Sequence, residues 1–260
     1  MAVLASSDLA RATRRPIVSN GVDAHLTTLI GANRYATAPD APPPPGPEAV
    51  YPMAFLVEQP PGSVVATHFH EANQFQVVVA GTGHLGSHPI APVAVHYSNA
   101  FSAYGPIAAG PEGLHYLTLR NGYDRGARYL PAARPELRGV RRRFRDAFSD
   151  PTPIAATPPE AATAEPLLPT APDGMGAWRH RLPPGATATG PDPASGDGQF
   201  WVVTAGSLQG PDGAPLPPLS CAFVGPEEPP FVATAGAEGL EVVVVQYPRG
   251  RDHLAAEAAT

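Results

Sequence analysis

The sequence predicts an all-β chain built as two small barrels or jelly rolls in tandem. Three observations carry this. Proline and glycine are in excess, at 35 and 26 of 260 residues. Proline sits poorly in helices and lacks the N–H that a central strand donates, so the excess marks many turns between short strands. The apolar residues fall in short β-branched and aromatic runs bounded by Gly and Pro. Finally, the chain repeats itself. "QFQVVVAG" from Gln74 returns as "QFWVVTAG" from Gln199, 125 residues later. Pro-Pro-Gly precedes both, at Pro60-Pro61-Gly62 and Pro183-Pro184-Gly185, and "AGPEGLHYLTLR" from Ala109 returns as "AGAEGLEVVVVQYPR" from Ala235. Three landmarks in one order at a nearly constant offset indicate a duplication.

Taken in order, "MAVLASSDLARATRRPIVSN" has no apolar segment of signal-peptide length and reads as a loose N-terminal arm. The proline-rich residues 38–50 read as a surface loop. "SVVATHFH", "FQVVVAG" and "LHYLTLR" supply strands of the first barrel. "PELRGVRRRFRDAF", residues 135–148, reads as one or two turns of helix whose arginines lie on a solvated surface. Residues 150–173, rich in Pro, Ala and Thr, read as an extended linker. "FWVVTAG" and "LEVVVVQY" are strands of the second barrel. The expected organisation is a barrel over 1–130, a linker with a short helix over 131–174, and a second barrel over 175–260.

Hydrophobic residues at 43% and charged residues at 15% suit a globular chain. All 17 basic residues are arginine, which excludes lysine Schiff-base chemistry. A net charge of -6 argues against nucleic-acid or anionic-membrane partners. No stretch approaches a membrane span. The single cysteine, Cys221, allows no internal disulfide, which fits a reducing compartment; a cytoplasmic location is expected.

The residues with chemistry lie in "THFHEANQFQVVVAG", residues 67–81. In a strand, residues two apart share a face, so His68 and His70 project together. Two imidazoles on one face form a platform for a divalent transition metal. Gln74 meets them from the start of the next strand. This stretch resembles the first motif of the cupin superfamily: glycine, five residues, His-x-His, a short gap, glutamate, six residues, glycine. Here these are Gly62, His68, His70, Gln74 and Gly81, with Gln74 in the place of glutamate.

The resemblance covers residues 50–125 and 175–250 and implies two double-stranded β-helix barrels in tandem, the second degenerate. It implies a metal (Fe, Mn, Ni or Zn) held by His68, His70 and Gln74. The family's third histidine is missing. Its position falls at or beside Tyr104, a candidate ligand or general acid or base, with His96 and His115 as the other candidates. His84 and His88 alternate near a turn and read as surface residues. In the second copy the positions matching His68 and His70 hold no ligand residue, so that barrel reads as structural. Two functions remain open: a metalloenzyme of dioxygenase, isomerase or lyase type acting on a small organic molecule, or a non-catalytic bicupin that binds a small molecule. A homodimer is consistent with either.

Overall fold

The computed structural model describes residues 2–32, 43–140 and 144–250. Among these residues strands dominate, and every pairing is antiparallel. The first barrel is a nine-stranded sheet. Its hydrogen-bonded path runs Asp146–Phe148, Ala94–Ser98, Gln74–Leu85, Ile107–Arg120, Met53–Gln59, Val22–Ile30, Arg15–Ser19. A two-stranded ribbon, His68–Phe69 with Arg128–Tyr129, lies apart from that path. The second barrel is an eight-stranded sheet whose path runs Val3–Ala5, Cys221–Val224, Gln199–Gln209, Val232–Gln246, Gly176–Leu182, Thr163–Leu168. The central three-strand arrangement is the same in both, as the duplication predicts.

The strand alternation decides where the core sits. On Gln74–Leu85, residues Phe75 and Val77 point out of the first barrel, towards the second, and Gln74, Gln76 and Val78 point inward. The outward residues join Tyr97, Leu117 and Leu119, and meet Phe200, Val202, Phe223, Val243, Val245 and Tyr247 of the second barrel in one shared apolar cluster. Phe75 and Tyr247 stack edge to face with centroids 5.1 Å apart. Burying each such side chain contributes about 1.5–3 kcal/mol, so this seam is a large share of the fold's stability.

The glycine that closes each "VAG" run has a backbone reason. Gly81 (φ 74°) and Gly206 (φ 66°) lie in the left-handed region, and an added Cβ would collide with the carbonyl oxygen of Gly113 or Gly239.

Three expectations are corrected. The N-terminal segment is ordered, not loose: Val3–Ala5 pairs with Cys221–Val224 of the second barrel, and Arg15–Ser19 and Val22–Ile30 form a hairpin on the first. The helix expected over 135–148 is a single 3-10 turn, Arg134–Leu137, followed by the strand Asp146–Phe148, which pairs with the free edge of Ala94–Ser98. The linker contains the strand Thr163–Leu168, an edge of the second sheet. Residues 38–42 of the proline-rich loop, Arg141, Arg142 and Arg143, and residues 251–260 of the second barrel's expected span lie outside the described residues. Among the described residues no helix is long and apolar enough to cross a membrane.

Candidate functional site

The first barrel encloses an open cavity of about 530 Å³. The His68–Phe69 strand brings His68 to its wall, held on one side by backbone bonds to Tyr104 and on the other by pairing with Tyr129. Gln74 begins the next long strand, and its register partner on Ile107–Arg120 is Arg120. The structure therefore gathers His68, His70, Gln74 and Tyr104 in one place, and adds Arg120 and Asp124.

These groups form a closed network. His68 Nδ1–H donates to the Ala66 carbonyl (2.7 Å), which leaves Nε2 to accept from the Tyr104 hydroxyl (3.0 Å). The Gln74 amide N–H donates to the same hydroxyl oxygen (2.6 Å). Arg120 Nε–H and Nη2–H donate to Gln74 Oε1 at 2.9 and 2.6 Å. His70 Nδ1–H donates to Asp124 Oδ2 (2.8 Å). Arg120 Nη2 sits over the face of the His70 ring, 3.1 Å from Nδ1 and 3.2 Å from Nε2. Asp124 also accepts the backbone N–H of Glu71 (3.1 Å) and of Gly126 (3.0 Å) and pairs with Arg120 Nη1 (3.3 Å). Asp124 and Arg120 are 0% and 4% exposed.

Burial sets the protonation states. It pushes His68 down to about 3, with neighbouring His70 adding to the effect. Burial and then the Arg120 charge lower His70 as well, against Asp124. Burial raises the Tyr104 phenol, opposed by Arg120. Burial alone would raise the Asp124 carboxyl, but Arg120, His70 and the hydrogen bonds it accepts hold it well below the usual carboxylate range. At neutral pH the site contains two neutral imidazoles, a neutral phenol, a carboxamide and one buried ion pair.

This donor set does not fit a divalent transition metal. Among the described residues no group of three or more His, Cys, Asp or Glu is placed to hold one. Tyr104 is held as the neutral phenol, and Asp124 is turned to the far side of His70, onto its Nδ1. A fixed guanidinium stands against two of the three expected ligands.

Of the other candidates, only His96 is near, its ring packed edge to face on Tyr104 with centroids 5.0 Å apart. His96 is buried on the barrel's inner face, but it donates from Nε2 to Asp146 Oδ1 (2.6 Å), and its Nδ1 lies 2.8 Å from the Gln76 amide oxygen. His115 is half-buried in register with Glu58, away from the site. His84 and His88 are exposed, His88 stacked on Phe148.

Arg120 and Asp124 were missed in the sequence. Arg120 had a signal: it ends "LHYLTLR", two residues from Thr118 on the inward face, and its counterpart in the second copy is Gln246. Asp124 lies in a loop and had none.

In the second barrel the same register pairs Gln199 with Gln246, and Gln199 Nε2–H donates to Gln246 Oε1 (2.7 Å). The position of Gln76 is taken by Trp201, fully buried against His180 and Phe231. The histidine strand is replaced by the turn Pro193–Ser195, capped by Asp192.

No family model and no curated protein sequence matches the chain. Solved structures do. A provisionally assigned dioxygenase from Nostoc punctiforme superposes with TM-score 0.60 at 14% identity, over 97% of this chain and 83% of that one. A bacterial pirin from Escherichia coli in complex with nickel(II) gives 0.54 at 13%, over 96% and 100%. A mutant of oxalate decarboxylase from Bacillus subtilis gives 0.54 at 11%, over 93% and 77%. At these identities the likeness concerns the fold, which is that of the cupin barrel in tandem.

Proposed function

We propose that the first barrel binds a small organic anion with an apolar body, and does so without a metal. The observation that carries this is the charge of the cavity wall. Arg15, Arg120 and Arg125 line it against one carboxylate, Asp124, which is already committed to Arg120 and His70. Arg125 is largely exposed and lies 3.6 Å from Glu71, so it counts for less. Arg15 is exposed too, but makes no ion pair with any described residue. In a chain of net charge -6, this is a local positive field. Ile17, Leu26, Phe55, Val57 and Val65 also line the cavity and offer an apolar surface for the rest of the ligand. Small carboxylates with a hydrocarbon or aromatic body meet both requirements.

Calorimetry with a panel of such carboxylates, each beside its neutral amide, tests the reading. The acids should bind, the amides should bind at least about tenfold more weakly, and Arg15→Ala should weaken the acids by a similar factor. Acids and amides binding equally, or neither binding, would overturn it.

A second reading, a metal-dependent oxygenase, isomerase or lyase, is favoured by the His68-x-His70 spacing and by structural neighbours that include a nickel-bound pirin and an oxalate decarboxylase. It requires Arg120 to leave Gln74 and His70. Metal analysis of protein purified without added metal separates the two: stoichiometric metal that disappears in His68→Ala supports the enzyme.

A further inference from the structure

The two copies of the repeat share a register but differ at one position in a way that changes the site's charge. Arg120 faces Gln74 in the first barrel, and Gln246 faces Gln199 in the second. We infer that the Arg120 guanidinium is a built-in substitute for a metal ion: it bonds Gln74 and covers His70, two of the three ligands a metal would use, and keeps divalent cations out of the first barrel. The inference concerns the cavity of the proposed ligand site but does not depend on that ligand being an anion.

Three lone pairs are needed for His68, His70 and Gln74 to coordinate a metal; two already accept hydrogen bonds, and a cation covers the ring that carries the third. His68 Nε2 accepts from Tyr104, Gln74 Oε1 accepts from both Nε and Nη2 of Arg120, and the same Nη2 lies over the His70 ring, 3.1 and 3.2 Å from its two nitrogens. Arginine keeps its proton under all working conditions, so the cation is permanent. Its charge is fixed from the far side by Asp124, and its plane sits over the Phe55 ring at 5.2 Å. A divalent ion entering would have to break these bonds and lie beside a like charge in a buried site. Gln74 fits the same logic. Its carboxamide offers an oxygen to the guanidinium and an N–H to Tyr104, which a carboxylate in its place could not donate.

The second barrel shows that the position accepts a neutral side chain. Gln246 lies there with Gln199, both fully buried and hydrogen-bonded. The exchange Arg120→Gln is therefore one that this fold already makes.

The test is a titration with Co(II) and Ni(II), followed by absorption and calorimetry on tag-free protein. Wild type should show no saturable one-to-one binding. Arg120→Gln combined with Gln74→Glu should bind one ion per chain, about 100-fold tighter than wild type once the like charge is gone and a carboxylate added. The gain should vanish when His68→Ala is added. If the double variant is unfolded by circular dichroism, the single Arg120→Gln chain carries the same comparison with a smaller expected gain. Stoichiometric metal on wild type that depends on His68 and His70 overturns the inference, as does a folded Arg120 variant that binds no tighter than wild type. A wild type that takes no metal and also binds no carboxylate overturns only the anion reading.

Discussion

Replacing Asp124 by alanine should be among the most damaging single changes in the first barrel. Asp124 Oδ2 takes three donors: His70 Nδ1–H, the Gly126 N–H and Arg120 Nη1. Oδ1 takes the Glu71 N–H. Alanine removes all four contacts and leaves the Arg120 charge buried without a partner. Breaking a buried ion pair from one side costs about 3–5 kcal/mol. Water entering from the adjoining cavity would satisfy part of what is lost, so the lower half of that range is expected. For a chain of this size the cost corresponds to a fall in Tm of roughly 10 °C. Asp124→Asn should cost less than alanine. With its amide oxygen at the Oδ2 position it still accepts three bonds, and only the Glu71 N–H then faces a donor. The pH dependence has a defined sign. Because the native carboxyl is held below its unfolded value of 3.8, the advantage of wild type over asparagine is complete above pH 3.8. It is lost only as pH falls through the lowered native value. Urea titrations at pH 7.5 and 4.5 should give the same advantage over asparagine, and one at pH 3 a smaller one. A loss under about 1 kcal/mol for alanine would mean that Arg120 is not held as described, and the reasoning about the site would fall with it.

Three further outcomes follow from the same geometry. The unfolded chain protonates His68 near 6.5 whereas the native site resists until about 3, so stability should decline as pH falls below 6.5, by up to about 1.4 kcal/mol per pH unit for each such histidine. His68→Gln should remove one proton's share of that slope in urea midpoints measured at pH 6.5, 5.5 and 4.5; an unchanged slope counts against a neutral buried His68. Gln76→Trp copies Trp201 into the first barrel and should abolish carboxylate binding by filling the cavity while leaving a folded chain, as judged by calorimetry and circular dichroism. Phe75→Ala, cut from the shared seam, should cost about 3–5 kcal/mol. Both tryptophans, Trp178 and Trp201, report on the second barrel, and their fluorescence should lose stability together with the whole-chain circular dichroism; a second barrel that keeps its midpoint would refute the common core.

The strands that form the centre of each barrel were legible because period-two runs, glycine stops and an internal repeat all point the same way. The peripheral elements were not. Val3–Ala5 is three residues long, and only its long-range pairing with Cys221–Val224 makes it a strand. Asp146–Phe148 lies in an arginine-rich stretch with helical flavour, and a free sheet edge decided its fate. The same division runs through the site. His68, His70 and Gln74 stood out by their spacing, and Tyr104 through the place of the third histidine that the family resemblance implies. Arg120 was written at the inward-facing end of a strand, but its meaning depends on knowing that Gln74 is its cross-strand partner. Asp124 acts from a loop whose course no local pattern specifies.

The two barrels show what a site costs this fold. Layer by layer, the first barrel sets Gln74, Arg120 and Ser98 where the second has Gln199, Gln246 and Val224, and Gln76, Thr118 and His96 where the second has Trp201, Val244 and Ala222. The second copy fills its interior with a packed apolar cluster around Trp201. The first gives up that burial, worth about 1.5–3 kcal/mol for each large side chain, and keeps a cavity walled by polar groups that must all find partners. Such an interior is stable only if its hydrogen bonds close on one another, and here they do, from Ala66 through His68, Tyr104, Gln74, Arg120 and Asp124 to the backbone of Glu71 and Gly126. The outward faces of both barrels remain apolar and meet in one seam, so the filled barrel can support the open one through Phe75, Tyr247 and their neighbours. Duplication thus separates two demands that a single barrel would have to meet at once: one interior is specialised for packing, and the other is left free for chemistry centred on a buried arginine.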